Sequence, residues 1–256
     1  MDIEQGSPEE QRPTDHKHIV TNFQKNTYAS KAFWSNIHRA KILIVVFWII
    51  IIASMVGIAL DFFELDLLER IDQGTGFTME EADDNDSRQL LAGILMLILR
   101  IISVVVFLNW FRRAYGNIKR LGVHTDRSES TTVWAWFVPI MNLYAPLNMM
   151  REIRAGLVDL LRNLSVKSST ISLSFIIGAW WAIHIINLFY TSILNRMLLR
   201  AETAAEMMTS TENYIFAEIL TIIEALLVIL MVYKISSLET RLEMEHKKAG
   251  GSVFNP

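Results

Sequence analysis

Four apolar runs, each near the length of a helix that crosses a bilayer, constrain this chain more than anything else in it. Ile42 to Leu60 carries no charge, and Leu90 to Phe111 is interrupted by Arg100. Ile171 to Leu194 contains His184 and Asn187, and Tyr214 to Tyr233 contains Glu218 and Glu224. Roughly 20 residues rising 1.5 Å each cover a hydrocarbon core about 30 Å thick. Inside that core every backbone N–H and C=O needs a partner within the protein, which leaves helices or closed barrels. The many short alternating strands of a barrel are missing. The expected fold is an all-α integral membrane protein with four transmembrane helices in a membrane domain over 41–235. A polar tail (1–40) precedes it and a charged tail (236–256) follows. Met1 to Ala40 does not resemble a cleavable signal, so the first run is expected to remain as an anchor.

Lys and Arg near the run ends set the expected orientation. Lys25, Lys31, Arg39 and Lys41 precede the first run, and Lys234, Arg241, Lys247 and Lys248 follow the fourth. Between the second and third lie Arg112, Arg113, Lys119, Arg120, Arg127, Arg151, Arg154, Arg162 and Lys167. The other two connections are poor in positive charge: Asp61 to Gln89 holds Arg70 and Arg88 among ten carboxylates. Both termini are therefore expected in the cytoplasm. Past Ile71 the acidic connection shows no helical pattern, and Glu80 to Asp86 reads as exposed loop. Asn85-Asp-Ser is a formal glycosylation sequon on its outer side.

The segment 133–148 is apolar and aromatic but short, with basic residues on both flanks. Were it to span, every later run would invert. Pro139 and Pro146 each remove a donor and discourage a continuous helix. A re-entrant or interfacial segment on the cytoplasmic side is expected, packed among the helices. Residues 147–164 follow with helical spacing: Met150, Ile153, Leu157, Leu160, Leu161 and Leu164 on one side, Arg151, Arg154, Asp159 and Arg162 on another. Two placements fit such a basic amphipathic helix, the anionic headgroup layer or the bundle's own flank.

Ionisable residues inside spans are costly and point to a role. By residue count Arg100, His184 and Glu224 share one level near the midplane. Their common level allows an Arg100–Glu224 pair if those helices touch, with His184 close by. Glu218 falls nearer the outer face, and Asn187 is suited to hydrogen bonds between helices. One reading is a midplane polar site for an ion, proton or solute. The other is a structural pair that selects which helices meet.

The chain has no cysteine, which excludes disulfides, thiolate metal sites and cysteine nucleophiles. No phosphate-binding loop, zinc-protease motif or nucleophile elbow occurs. His16-x-His18 is a weak metal candidate in a polar tail; no metal or cofactor is expected. Basic charge between the second and third runs sits where topology demands it, so nucleic acid is not an expected partner.

The block from Leu108 onward carries a resemblance. It reads Leu108-x-Trp110, Arg113-Ala-Tyr115-x-Asn117 and Leu121-Gly122, then Trp136-Phe-Val-Pro139-Ile-x-Asn142, Pro146 and Arg151-Glu152-Ile153, with Trp180-Trp181 in the next run. In order and spacing these residues resemble an uncharacterised bacterial multipass membrane family, domain of unknown function 4328. Ala145, Leu147 and Arg154 depart from the family's usual basic, aromatic and Trp residues there. The resemblance implies a bacterial inner-membrane protein and no particular activity. The expectation is a non-enzymatic interaction or regulatory protein with a functional cytoplasmic face, touching lipid headgroups, a second copy or another membrane protein. Its rival is a small transporter or channel subunit built around Arg100, His184 and Glu224.

Overall fold

Each apolar run lies within a helix that continues beyond it. In the computed structural model, which describes residues 33–166, 171–248 and 250 and the backbone of 253–254, the four long helices are α1 (Ile37–Asp72), α2 (Met79–Arg120), α6 (Ile171–Leu198) and α7 (Ala204–Lys248). Between α2 and α6 come two single turns, α3 (Thr131–Trp134) and α4 (Pro139–Asn142), and one full helix, α5 (Ala145–Asn163). All four long helices are long and apolar enough to cross a membrane. At 1.5 Å per residue α7 is about 68 Å long, roughly twice the hydrocarbon thickness. Its apolar run, 214–233, is by itself about long enough to span.

The helices pack as a row, α2–α1–α7–α6, with the largest interface between α1 and α7. The outer members, α2 and α6, share no comparable interface. α5 lies across the end that carries most of the Lys and Arg, touching α2, α6 and α7. Its apolar face is spent on the bundle: Met149, Met150, Ile153, Leu157, Leu160 and Leu161 are buried, and Arg151, Asp159 and Arg162 are exposed. Each such side chain contributes about 1.5–3 kcal/mol. The flank of the bundle, not the headgroup layer, receives the apolar face of α5. Gly156 permits the close approach, since a Cβ there would lie 3.1 Å from Val123 Cγ1 and 3.3 Å from Ile118 Cδ1.

Two expectations for the acidic end are corrected. Glu80 to Asp86 is the first turns of α2, and the connection shrinks to residues 73–78. The Thr78 hydroxyl accepts from Glu81 N–H at 3.1 Å, capping the helix, and Glu81 also pairs with Arg70. Asn85 is buried on this helix, so the formal sequon is not an accessible acceptor. At the basic end α2 stops at Gly122, whose φ of +91° suits a residue without Cβ; Val123 N–H then closes back on Ile118 O at 3.0 Å.

A short strand precedes α1. β1 (Phe33–Trp34) pairs in parallel with β2 (Val253–Phe254), the one strand pairing among the described residues. His16 and His18 lie outside those residues.

Candidate functional site

Three features meet between the basic end and the middle of the bundle. The outermost is a polar latch. Asn117, fully buried on α2, donates from Nδ2 to Trp34 O at 2.7 Å and accepts from Trp34 N–H at 3.3 Å. It therefore completes the β1 backbone as a strand neighbour would. Asn36 Nδ2 donates to Trp110 O at 3.3 Å and to Glu239 Oε2 at 3.2 Å. Asn117 Nδ2 reaches Glu239 Oε1 at 3.4 Å. Glu239 lies on α7 beyond the spanning run, and burial pushes its carboxyl up to about 7. Above this cluster Trp34 is held between two guanidiniums, with Arg113 and Arg120 Cζ each 4.4 Å from the ring centroid. Burial, with Arg39 and Arg120 close by, lowers Arg113 to about 10.

The second feature is the Trp/Pro/Asn segment. Pro139 starts α4 and Pro146 lies in the first turn of α5, where a missing N–H costs nothing. Tyr115 and Glu152 tie the segment's flanks together: Tyr115 Oη donates to Glu152 Oε2 at 2.6 Å and accepts from Arg127 N–H at 3.3 Å. Arg127 Nη1 lies 3.5 Å from Glu152 Oε1. Burial, then the bond to Glu152, pushes the Tyr115 hydroxyl up to about 12. The segment has an inner and an outer side. Ala135 is buried and Trp136 points inward, while Trp134, Phe137, Ile140 and Leu143 are exposed. The Trp181 indole N–H fastens the segment to α6 through Leu143 O at 3.2 Å. Asn142 is half-buried with its Oδ1 unpartnered among the described residues, and Arg151 is exposed.

The third feature is a cavity of about 300 Å³ at mid-span. Its polar wall is one connected network. His184 Nδ1 lies 2.8 Å from Glu224 Oε1, and Asn187 Nδ2 donates to Glu224 Oε2 at 3.0 Å. Asn187 Nδ2 also reaches Thr221 Oγ1 at 3.2 Å, and the Arg100 guanidinium reaches the same oxygen at 3.4 Å. The Arg100–Glu224 pair that a common level allows is thus corrected: His184 takes the carboxylate, because α6 packs on α7 while α2 stands one helix away. Arg100 instead reaches a hydroxyl one turn along α7. Glu218 stays outside this network, as its angular position on α7 requires, and its charge adds to burial in pushing Asp61 up to about 6.

Trp136 and Trp180 form the cavity floor. Trp136, Trp180 and Trp181 surround His184 with ring centroids at 5.8, 6.2 and 5.2 Å. Arg100 and Val104, both exposed, line the side where α2 and α6 fail to pack, so the cavity opens between those two helices. No group of three or more His, Asp or Glu side chains suited to a metal occurs among the described residues.

Sequence reasoning singled out Arg100, His184, Asn187 and Glu224, which the structure brings to one cavity, and Trp110, Arg113, Tyr115, Asn117 and Glu152, which it divides between the latch and the flanks of the Trp/Pro/Asn segment. It missed Trp34, Asn36, Thr221 and Glu239. The signal for Glu239 was present: it shares one face with Ile235 and Leu242 at spacings of four and three, so a lone carboxylate sits on a buried stripe.

No curated protein and no solved structure matches the chain. The family model described as "Domain of unknown function (DUF4328)" matches residues 73–237. That range runs from the turn before α2 into α7 and takes in the cavity's polar wall, its aromatic floor and the Trp/Pro/Asn segment. With more than half of its length matched, the chain belongs to the DUF4328 family.

Proposed function

We propose that this protein is a non-enzymatic binding and regulatory protein of the bacterial inner membrane, with both termini and the α3–α5 platform in the cytoplasm. One observation carries the reading. Trp136 comes from the Trp/Pro/Asn segment and forms the floor of the cavity that Arg100, His184 and Glu224 line. Whatever fills the cavity touches the segment whose other face, with Trp134, Phe137 and Ile140, is exposed for lipid headgroups or another membrane protein. A molecule bound at mid-span is thereby sensed at the membrane surface. The distribution of Lys and Arg supports the orientation.

The absence of native cysteine makes the test direct. Single cysteines at Ser103, which lines the cavity, and at exposed His124 are labelled in oriented vesicles. The His124 position should react with a membrane-impermeant maleimide from the cytoplasmic face only. The Ser103 position should react with a lipid-soluble maleimide and resist the impermeant one from both faces.

A second reading, a small transporter or channel subunit, is favoured by the unbroken chain of polar contacts from Arg100 to His184 at mid-span. It requires impermeant labelling at Ser103 from both faces, and Glu224→Gln would then stop flux without loss of folded protein.

A further inference from the structure

We propose that the cavity binds a single-chain anionic amphiphile: a lipid carboxylate whose head pairs with Arg100 and whose tail lies between α2 and α6. This rests on the reading of the cavity as a ligand site, and it adds the ligand's chemistry.

Charge is the first ground. Both oxygens of Glu224 are already engaged, one by His184 and one by Asn187. Arg100 reaches the Thr221 hydroxyl at 3.4 Å, and that hydroxyl donates its own proton to Ala217 O at 3.0 Å. Among the described residues no carboxylate forms an ion pair with Arg100. A guanidinium carries five N–H donors and stays charged at any accessible pH. At mid-span, where charge is poorly solvated, it feels the charge of Glu224 only at a distance, and no anionic oxygen sits against its own N–H donors among the described residues. A carboxylate supplies it with matching two-oxygen geometry.

Access and size narrow the class. The cavity opens between α2 and α6, beside exposed Val104 and the apolar surface of α2, so the occupant arrives through the bilayer. A volume of about 300 Å³ holds roughly ten methylene-sized groups at the ~30 Å³ a liquid water molecule takes. That is about ten carbons of one chain, so the rest of a longer tail lies outside the cavity along α2 and α6, and a second chain has no room. A phosphodiester stays ionised and is held in the headgroup layer, whereas a carboxylic acid enters the bilayer in its protonated form and releases the proton beside the guanidinium. Arg100 stands twelve residues from Arg112, about 18 Å deeper along α2.

The floor tryptophans supply the readout. Purified protein in dodecylmaltoside at pH 8 is titrated with dibromostearate, and the part of the tryptophan quenching that unbrominated stearate reverses is measured. Methyl stearate, a stearyl trimethylammonium salt and phosphatidylglycerol are then tried as competitors. Stearate should compete at least tenfold better than all three. Arg100→Gln should weaken dibromostearate at least tenfold, while Arg100→Lys recovers most of the affinity. The comparison of acid with ester needs no variant, so it decides the matter even if Arg100→Gln fails to fold. An ester that competes as well as the acid overturns the carboxylate proposal but leaves a ligand cavity. Phosphatidylglycerol competing as well as stearate overturns it in favour of a membrane phospholipid. No reversible quenching by any brominated chain overturns both the proposal and the reading beneath it.

Discussion

Glu239→Gln should flatten the pH dependence of this protein's stability between about pH 4.5 and pH 7. The residue is 4 % exposed; the amides Asn36 and Asn117 donate to its carboxyl at 3.2–3.4 Å, and the nearby charges of Glu243 and Arg113 act on it in opposite directions. Those bonds are too long to offset the loss of water, so burial raises the group from 4.5 to about 7. The sign follows from proton counting. Between those values the folded protein still holds the proton and the unfolded chain has released it. Raising the pH therefore destabilises the fold. The contribution is fully present below about 4.5 and lost as pH rises through about 7. At 1.36 kcal/mol per pH unit the whole window is worth about 3 kcal/mol, which corresponds to roughly 6–12 °C in Tm for a chain of this size. Thermal unfolding in detergent, followed by circular dichroism from pH 5 to pH 8, measures it for both proteins. Asp61 and Glu64, pushed up to about 6 and about 7, act in the same direction, so Glu239 is assigned only the difference in slope. Hydrogen exchange at the Trp34 amide, which donates to Asn117 Oδ1, localises the effect to the latch. Equal slopes for the two proteins, or a Trp34 amide whose protection ignores pH in both, would refute the reasoning.

The other perturbations test single contacts. Tyr115→Phe removes the 2.6 Å bond to Glu152 and should cost about 1–3 kcal/mol, read as a lower Tm; an unchanged Tm would separate Tyr115 from platform stability. Gly156→Ala places a methyl 3.1 Å from Val123 Cγ1 and should cost about 1–3 kcal/mol by overpacking α5 on α2. Gly93→Ala, where nothing lies within 4 Å, should be neutral or gain up to about 1 kcal/mol of helix propensity; the same thermal assay compares the two, and equal shifts would discount the packing account. His184→Phe fills the same aromatic surroundings but strips Glu224 of one partner, so detergent-stable yield should fall, and the double variant with Glu224→Gln should recover part of it. No recovery would mean that the pair is not what holds α6 to α7.

How much was legible from residues alone differs between the bundle and its polar interior. Segment 133–148 reads as non-spanning because its prolines and basic flanks are local facts, and the structure places it as two single turns before α5. The start of α2 differs from the loop expected at Glu80 to Asp86 because the Thr78 cap on Glu81 N–H and acidic side chains in the first turn favour a helix there. The match of Asn117 with β1 was out of reach: its partner Trp34 is 83 residues away, and nothing local to either residue names the other.

The sequence by itself determined that four helices form, roughly where they cross and which end is basic. Hydrophobic length and the need to satisfy backbone groups within each segment are properties of the segment alone. Only the tertiary structure decided the pairing of the buried polar groups. Arg100, His184 and Glu224 share a level by simple counting. Which of them touch depends on the order of helices in the row and the rotation of each about its axis. Those are set by the packing of all four helices together, so Glu224 meets His184 across α6 and α7, and Arg100 is left facing the cavity.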